Sequence, residues 1–359
     1  MSTTNLIRGN DDRAFPGLST YQLSTIERQR LAEGLRHFQT FADDQFPSDV
    51  ACQRLLAEIV ADGILPQAAP GLNRVIEMAR KDIVDCIYVT NLPIEKSIAS
   101  LLLLTIGSAI GRIFNYASQI SNELVMEVSS DRGASIPRGE FDWHTEGAWI
   151  PRDHRVEWIC LLGLDNTPGT FAAYAPIRSV EQTLSARTRT WLYSKSACFH
   201  GPNDFTTDAS EPSLPRAVLT RSPLGHIEIV WPGFAVHPAR PDDTAYVDAL
   251  TELSAEFNRE NFQVSLDKGC LLAFNNCRGV YMHALAGSDA YHLFYKTYVR
   301  QSLQALQQAT GKNGPIFSLV NTVAQRNLSD RWRSSHDVRD DAQSRAVIGE
   351  LTRRCTIQG

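Results

Sequence analysis

Apolar residues in the N-terminal part of the chain recur at helical spacing. Between Thr20 and Phe41, Leu31, Leu35 and Phe38 fall at i, i+4 and i+7, which predicts a helix with one apolar face. From Val50 to Ala61, Cys52, Leu55, Leu56, Ile59 and Val60 predict a second. Ile64 to Asn73 contains Pro66, Pro70 and Gly71 and reads as a loop. Cys86 to Thr90 is a short β-rich run closed by Asn91-Leu92-Pro93. Behind it, Glu95 to Ile110 reads as an apolar helix buried in a core. After about Leu124 the pattern changes to short runs rich in β-branched and aromatic residues: Trp158 to Leu164, Thr170 to Ala175, His226 to Trp231, Phe262 to Leu266, Cys270 to Phe274 and His292 to Arg300. Many short strands with turn residues between them predict an all-β barrel or jelly roll. One helix interrupts them, Thr244 to Phe257, with Asp243 as its cap and Tyr246, Leu250, Leu253 and Phe257 on one face. The polar stretch from Gly201 to Pro223 has the composition of either a lid or an ordinary surface loop. The charged tail beyond Ser329 reads as a peripheral segment.

Composition narrows the class. Of 359 residues, 43% are hydrophobic and 21% charged, which is enough apolar side chain for an ordinary packed core. The net charge of −5 provides no cationic field for nucleic acid or an anionic membrane. The seven cysteines are scattered and form no C-x-x-C pair, which points to a reduced, cytoplasmic protein. Met1 to Asp12 is polar and shows no secretory h-region. The greasiest run, Ile98 to Ile110, is shorter than the ~20 apolar residues a spanning helix needs.

The candidate chemistry lies in Phe141-Asp142-Trp143-His144-Thr145-Glu146-Gly147-Ala148-Trp149. On a strand, residues i and i+2 point to the same face, so His144 and Glu146 would present an imidazole and a carboxylate side by side. Joined by one distant histidine, they would form a 2-His-1-carboxylate facial triad. Such a triad leaves open positions for substrate, cosubstrate and dioxygen on non-haem iron(II). H-x-E alone is a weak signal. A core histidine beside a surface glutamate gives the same pattern, and a His₂Glu set also suits catalytic zinc.

The order of motifs adds specificity. The Phe141–Glu146 segment matches the Glu-Phe-His-Thr-Glu segment of the clavaminate-synthase-like branch of the taurine-dioxygenase superfamily. Ile87-Tyr88-Val89-Thr90-Asn91-Leu92-Pro93 is similar to that family's early strand ending in Gly-Leu-Pro. Leu266-Asp267-Lys268-Gly269-Cys270-Leu271-Leu272 loosely resembles its Pro-Gly-Asp segment. Asn275-Asn276-Cys277-Arg278 followed by His283 is similar to its Asp-Asn-x-Arg segment before the distal histidine, and Lys296-Thr297-Tyr298-Val299-Arg300 resembles its final Tyr-Ile-Arg strand. The resemblance covers residues 85 to 302. It implies a mainly β fold with flanking helices, a double-stranded β-helix or jelly roll, with a helical N-terminal region. In domain terms it implies a helical region at 1–84, an oxygenase core at 85–302 and a peripheral segment at 303–359. It also implies Fe(II) held by His144, Glu146 and His283, with 2-oxoglutarate as cosubstrate and dioxygen as oxidant. The substrate would be an amino acid or related small molecule, oxidised at a C–H bond.

The residues depart from the family at three places. The family's distal histidine falls on Tyr281, and the histidine comes two residues later, at His283, which a strand would place on the same face. His292 is an alternative third ligand. The family arginine that anchors 2-oxoglutarate falls on His292, and the next family arginine falls on Lys296, which offers a point charge but no bidentate fork. The family threonine that helps hold 2-oxoglutarate falls on Ala172, with Thr170 two residues earlier. Arg278 is a further candidate for cosubstrate or substrate, or else pairs with a structural carboxylate. Burying a carboxylate without a cation is unfavourable, so 2-oxoglutarate binding rests on Lys296 or another cation. Three readings stay open: a 2-oxoglutarate oxygenase, an iron oxygenase that does not use 2-oxoglutarate, and a non-catalytic binding protein on the same fold.

Overall fold

The computed structural model describes residues 7–9, 15–45, 49–117, 123–129, 142–199, 215–233, 236–284 and 291–318. Two sheets and two helical layers dominate these residues. The larger sheet runs Ile316–Ser318, Arg112–Ala117, His292–Arg300, Trp158–Asn166, Leu271–Asn275, Cys86–Thr90, Leu18–Gln22, and Met126–Ser129 also pairs with His292–Arg300. The smaller runs Ile7–Gly9, Phe262–Ser265, Phe171–Pro176, Gly279–Ala284. Pairing is antiparallel throughout both, apart from the two parallel pairs at the edges of the larger sheet, Leu18–Gln22 on Cys86–Thr90 and Ile316–Ser318 on Arg112–Ala117.

Period-two alternation sorts the strand residues into layers. Tyr88, Phe114, Ile159, Leu161, Leu272, Phe274, Phe294 and Tyr298 of the larger sheet pack with Ala172, Tyr174, Phe262, Val264 and Tyr281 of the smaller. Their neighbours Ile87, Val89, Trp158, Cys160, Leu162, Leu271 and Ala273 face the other way, onto the N-terminal helices. The helix Ala99–Ile110 lies in that outer layer with nine buried residues, as its apolar composition predicts. Thr244–Phe257 covers the back of the smaller sheet, and its cap is Asp243, whose side chain accepts from Tyr246 N.

Three predicted elements change. Leu18–Gln22 is a strand rather than the start of a helix, because it pairs along Cys86–Thr90; the helix begins at Thr25. Ile64 to Asn73 is not a loop: it holds the helices Leu65–Ala68 and the start of Pro70–Arg80. Pro66 and Pro70 sit in first turns, where the missing N–H is no loss. The apolar helix starts at Ala99, after a turn in which Ile98 N donates to Glu95 O. Residues 201–214 of the polar stretch lie outside the described residues, as does the tail beyond Ser329. The end of the stretch forms short paired strands, Arg216–Ala217 and Leu219–Arg221. No described helix is long and apolar enough to cross a membrane.

Gly163 shows how closely the layers approach. A Cβ there would lie 2.0 Å from the carbonyl oxygen of Leu266 and 2.5 Å from that of Asp267, both backbone atoms. Gly163→Ala should therefore destabilise the protein by about 3 kcal/mol, read from the midpoint of denaturant unfolding. An unchanged midpoint would mean that the turn after Phe262–Ser265 does not pack on this strand.

Candidate metal centre

His144, Glu146, His283 and Lys296 meet between the two sheets. His144 does not lie on a continuous strand. It makes a single antiparallel bridge to Tyr281, each backbone N–H donating to the other's carbonyl at 3.0 Å. The chain then turns at Glu146, because Gly147 adopts φ +64°, a left-handed conformation that favours glycine. The predicted strand geometry for His144 and Glu146 is thus reduced to one bridge followed by a turn. Asn276 pins this turn: its Oδ1 accepts from Glu146 N at 2.7 Å, and its Nδ2 donates to Glu146 O at 3.1 Å and Val156 O at 3.0 Å.

Each donor group is prepared in a specific way. His144 Nδ1 lies 2.8 Å from the Asp142 carbonyl, which accepts only from the Nδ1–H tautomer. The ring therefore keeps its lone pair on Nε2, the arrangement that orients ligating histidines. Glu146 Oε1 accepts from the Tyr281 hydroxyl at 2.6 Å and from Lys296 Nζ at 2.9 Å. Burial works to raise the Glu146 pKa, but the Lys296 ammonium, His144 and the Tyr281 hydroxyl outweigh it and hold the carboxyl at about 2. His283 is buried, and its Nδ1 has no hydrogen-bond partner among the described residues. Burial first, then the nearby Lys296 ammonium, presses its pKa down to about 3 against the opposing pull of Glu146. The centre thus offers two imidazoles and an ionised carboxylate.

That donor chemistry fits a divalent cation: imidazole, carboxylate and, among the described residues, a ring nitrogen at His283 without a hydrogen-bond partner. Among the described residues, however, no three His, Cys, Asp or Glu side chains converge closely enough to hold an ion as they stand. Lys296 and Tyr281 hold the carboxylate at Oε1 instead. The Tyr281 ring packs against both imidazoles, its centroid 4.3 Å from that of His144 and 5.3 Å from that of His283.

No protein-family model matches the chain, and no curated protein matches it in sequence. Solved structures do. An asparagine oxygenase in complex with Fe(II), 3-hydroxyasparagine and succinate superposes with a TM-score of 0.69 at 20% identity, covering 83% of this chain and 98% of that one. The non-haem iron oxygenase OrfP in complex with Fe, succinate and (3S)-hydroxy-L-Arg superposes at 0.67 with 17% identity, covering 83% and 99%. The chain has the fold of these iron oxygenases.

The other candidates separate clearly. Lys296 reaches the centre, but its partner is the protein's own Glu146. His292 is buried and its ring stacks on Phe294, with centroids 5.7 Å apart; Phe294 in turn lies 4.9 Å from His283. Thr170 is buried just before Phe171–Pro176, and its Oγ1 has no partner among the described residues. Arg278 is not brought to the centre: its guanidinium is taken up by Asp85 at 3.0 Å and Asp82 at 2.9 Å, the structural pairing left open above. Tyr281 stands at the family's histidine position, and its hydroxyl contact with Glu146 is not stated by the sequence pattern. The signal was its spacing of two from His283, which puts both side chains on one strand face.

The two depressed pKa values have one sign. Between the ordinary histidine value of 6.5 and about 3, the unfolded chain binds a proton at residue 283 that the folded protein does not. Stability is therefore lost as pH falls through that window, and Glu146 adds to the loss between 4.5 and about 2. In metal-free protein, His283→Gln should remove nearly one proton from the pH dependence of unfolding between 6.5 and 4.5. Matched slopes for wild type and variant, from denaturant unfolding across that range, would contradict the buried neutral imidazole.

Proposed function

We propose that the protein is a non-haem Fe(II) oxygenase that uses 2-oxoglutarate to oxidise a C–H bond of an amino acid or a related small polar molecule. The observation that carries this reading is the His144–Glu146–Tyr281–His283 cluster: a tautomer-fixed imidazole, an ionised carboxylate and a neutral buried imidazole, enclosed by a fold of iron oxygenases. In this reading His144, Glu146 and His283 hold the iron, and the two facing sheets form a double-stranded β-helix. The helical region is 1–84, the core 85–302 and the peripheral segment 303–359. Bound iron supplies the activation of dioxygen, coupled to decarboxylation of 2-oxoglutarate.

The chain's own residues contribute position and exclusion. The Asp142 carbonyl orients His144, and the Asn276 amide fixes the backbone on both sides of Glu146. Phe274, Tyr281 and Phe294 form an aromatic wall between the sheets that would limit water at a bound metal. His292 stands at the family's arginine position, and Thr170 stands two residues before Ala172, the family's threonine position. Lys296 is the charge available for a ligand carboxylate once it leaves Glu146. The free cysteines Cys52, Cys86, Cys160, Cys198, Cys270 and Cys277 support a cytoplasmic setting. An asparagine oxygenase and OrfP, whose structures hold hydroxylated amino acids and succinate, support an amino-acid-like substrate.

A second reading keeps the iron and omits 2-oxoglutarate. It is favoured by the engagement of Lys296 with Glu146 together with Ala172 and His292 at the family's threonine and arginine positions. Anaerobic titration with Fe(II) and then 2-oxoglutarate separates the two. The first reading expects the weak visible charge-transfer band of the chelate, lost in His144→Ala. Iron binding without that band supports the second, and a wild-type protein that binds no iron sinks both.

A further inference from the structure

The Glu146–Lys296 pair does more than neutralise a buried carboxylate. Lys296 belongs to the larger sheet and Glu146 to the turn beside the smaller one, so the 2.9 Å contact spans the gap in which a metal would sit. The Lys296 side chain is 8% exposed and that of Glu146 18%, so water screens the pair poorly. A divalent ion arriving at Glu146 meets a carboxylate whose Oε1 is already held by one ammonium and one phenol, and a positive charge beside the site. Both effects oppose metal binding. The family arginine at this position would have a rigid planar fork, whereas a lysine is a compact charge on a flexible stem that can leave one carboxylate for another.

Resting on the iron reading above, we infer that Lys296 is an exchangeable counter-ion: its ammonium holds Glu146 until a metal ion displaces it, and then engages the carboxylate of the incoming acid. Metal and acid binding are thereby coupled through a single side chain. Each favours the position of Lys296 that the other requires, and the coupling is reciprocal. The Tyr281 hydroxyl, also on Oε1, keeps the carboxylate oriented while the ammonium exchanges.

The test is Mn(II) titration of the full chain without oxygen, by calorimetry and by loss of the free-ion paramagnetic resonance signal, with and without succinate. Lys296→Met should bind Mn(II) at least ten-fold more tightly than wild type. Lys296→Arg, which keeps the charge on Glu146, should bind no more tightly than wild type and serves as the second variant should the methionine form fold poorly. Succinate should tighten Mn(II) binding to wild type by a larger factor than to Lys296→Met. Equal or weaker Mn(II) affinity in Lys296→Met, or a gain in Lys296→Arg, overturns the competition. An equal effect of succinate on wild type and Lys296→Met overturns the hand-over to the acid. If no protein of the series binds Mn(II), the iron reading fails and the inference with it, an outcome distinct from binding at unchanged affinity.

Discussion

A half-buried carboxylate between two sheets must have its charge met, and in this protein much of the centre is arranged around that requirement. Glu146 is ionised because Lys296, His144 and the Tyr281 hydroxyl together outweigh the effect of burial. Removing one partner from such a pair is costly, typically about 3–5 kcal/mol, because the other charge is left without compensation. The same contact ties the larger sheet to the turn beside the smaller one. Phe274, Tyr281 and Phe294 pack together beside it, and the low exposure of Lys296 keeps the electrostatics strong.

Neighbouring groups are set by that charge and by the backbone. His283 stays neutral under the combined pressure of burial and the Lys296 ammonium. His144 is turned by the Asp142 carbonyl so that Nε2 is left as an acceptor. Asn276 closes the Glu146 turn through three hydrogen bonds, which explains why an asparagine side chain is useful at that point of the Asn-Asn-x-Arg segment. A metal site needs ligands whose orientation is set from outside the ligand shell. These contacts supply that orientation for His144 and Glu146, while Lys296 supplies the charge that a cation must replace.

How much of this is readable in the chain depends on the range of the interaction. The helix Thr244–Phe257 and the strand His292–Arg300 are read within a residue, because cap chemistry and period-two alternation are local. The segment around Pro66 and Pro70 misleads: proline suits both a loop and the first turn of a helix, and only packing of Leu65, Leu72 and Ile76 into the outer core decides. His144 and Glu146 stand out because ligand chemistry demands those residue types close together. The regular strand expected for them is absent because Gly147 turns the chain. The Tyr281–Glu146 hydrogen bond joins residues 135 apart in sequence and leaves no local trace. Lys296 was legible as a charge for some carboxylate, but that this carboxylate belongs to the protein is tertiary information. Arg278 is the same case with the opposite consequence, since Asp82 and Asp85 remove it from the centre.

The most direct measurement of the central claim is anomalous diffraction from crystals grown with Co(II), recorded above and below the cobalt edge. The account predicts one strong peak between the sheets, bonded to His144 Nε2, the Glu146 carboxylate and His283, with the Lys296 ammonium withdrawn from Glu146. Full-occupancy cobalt elsewhere, with Lys296 still seated on Glu146 and the two histidines unligated, would contradict it.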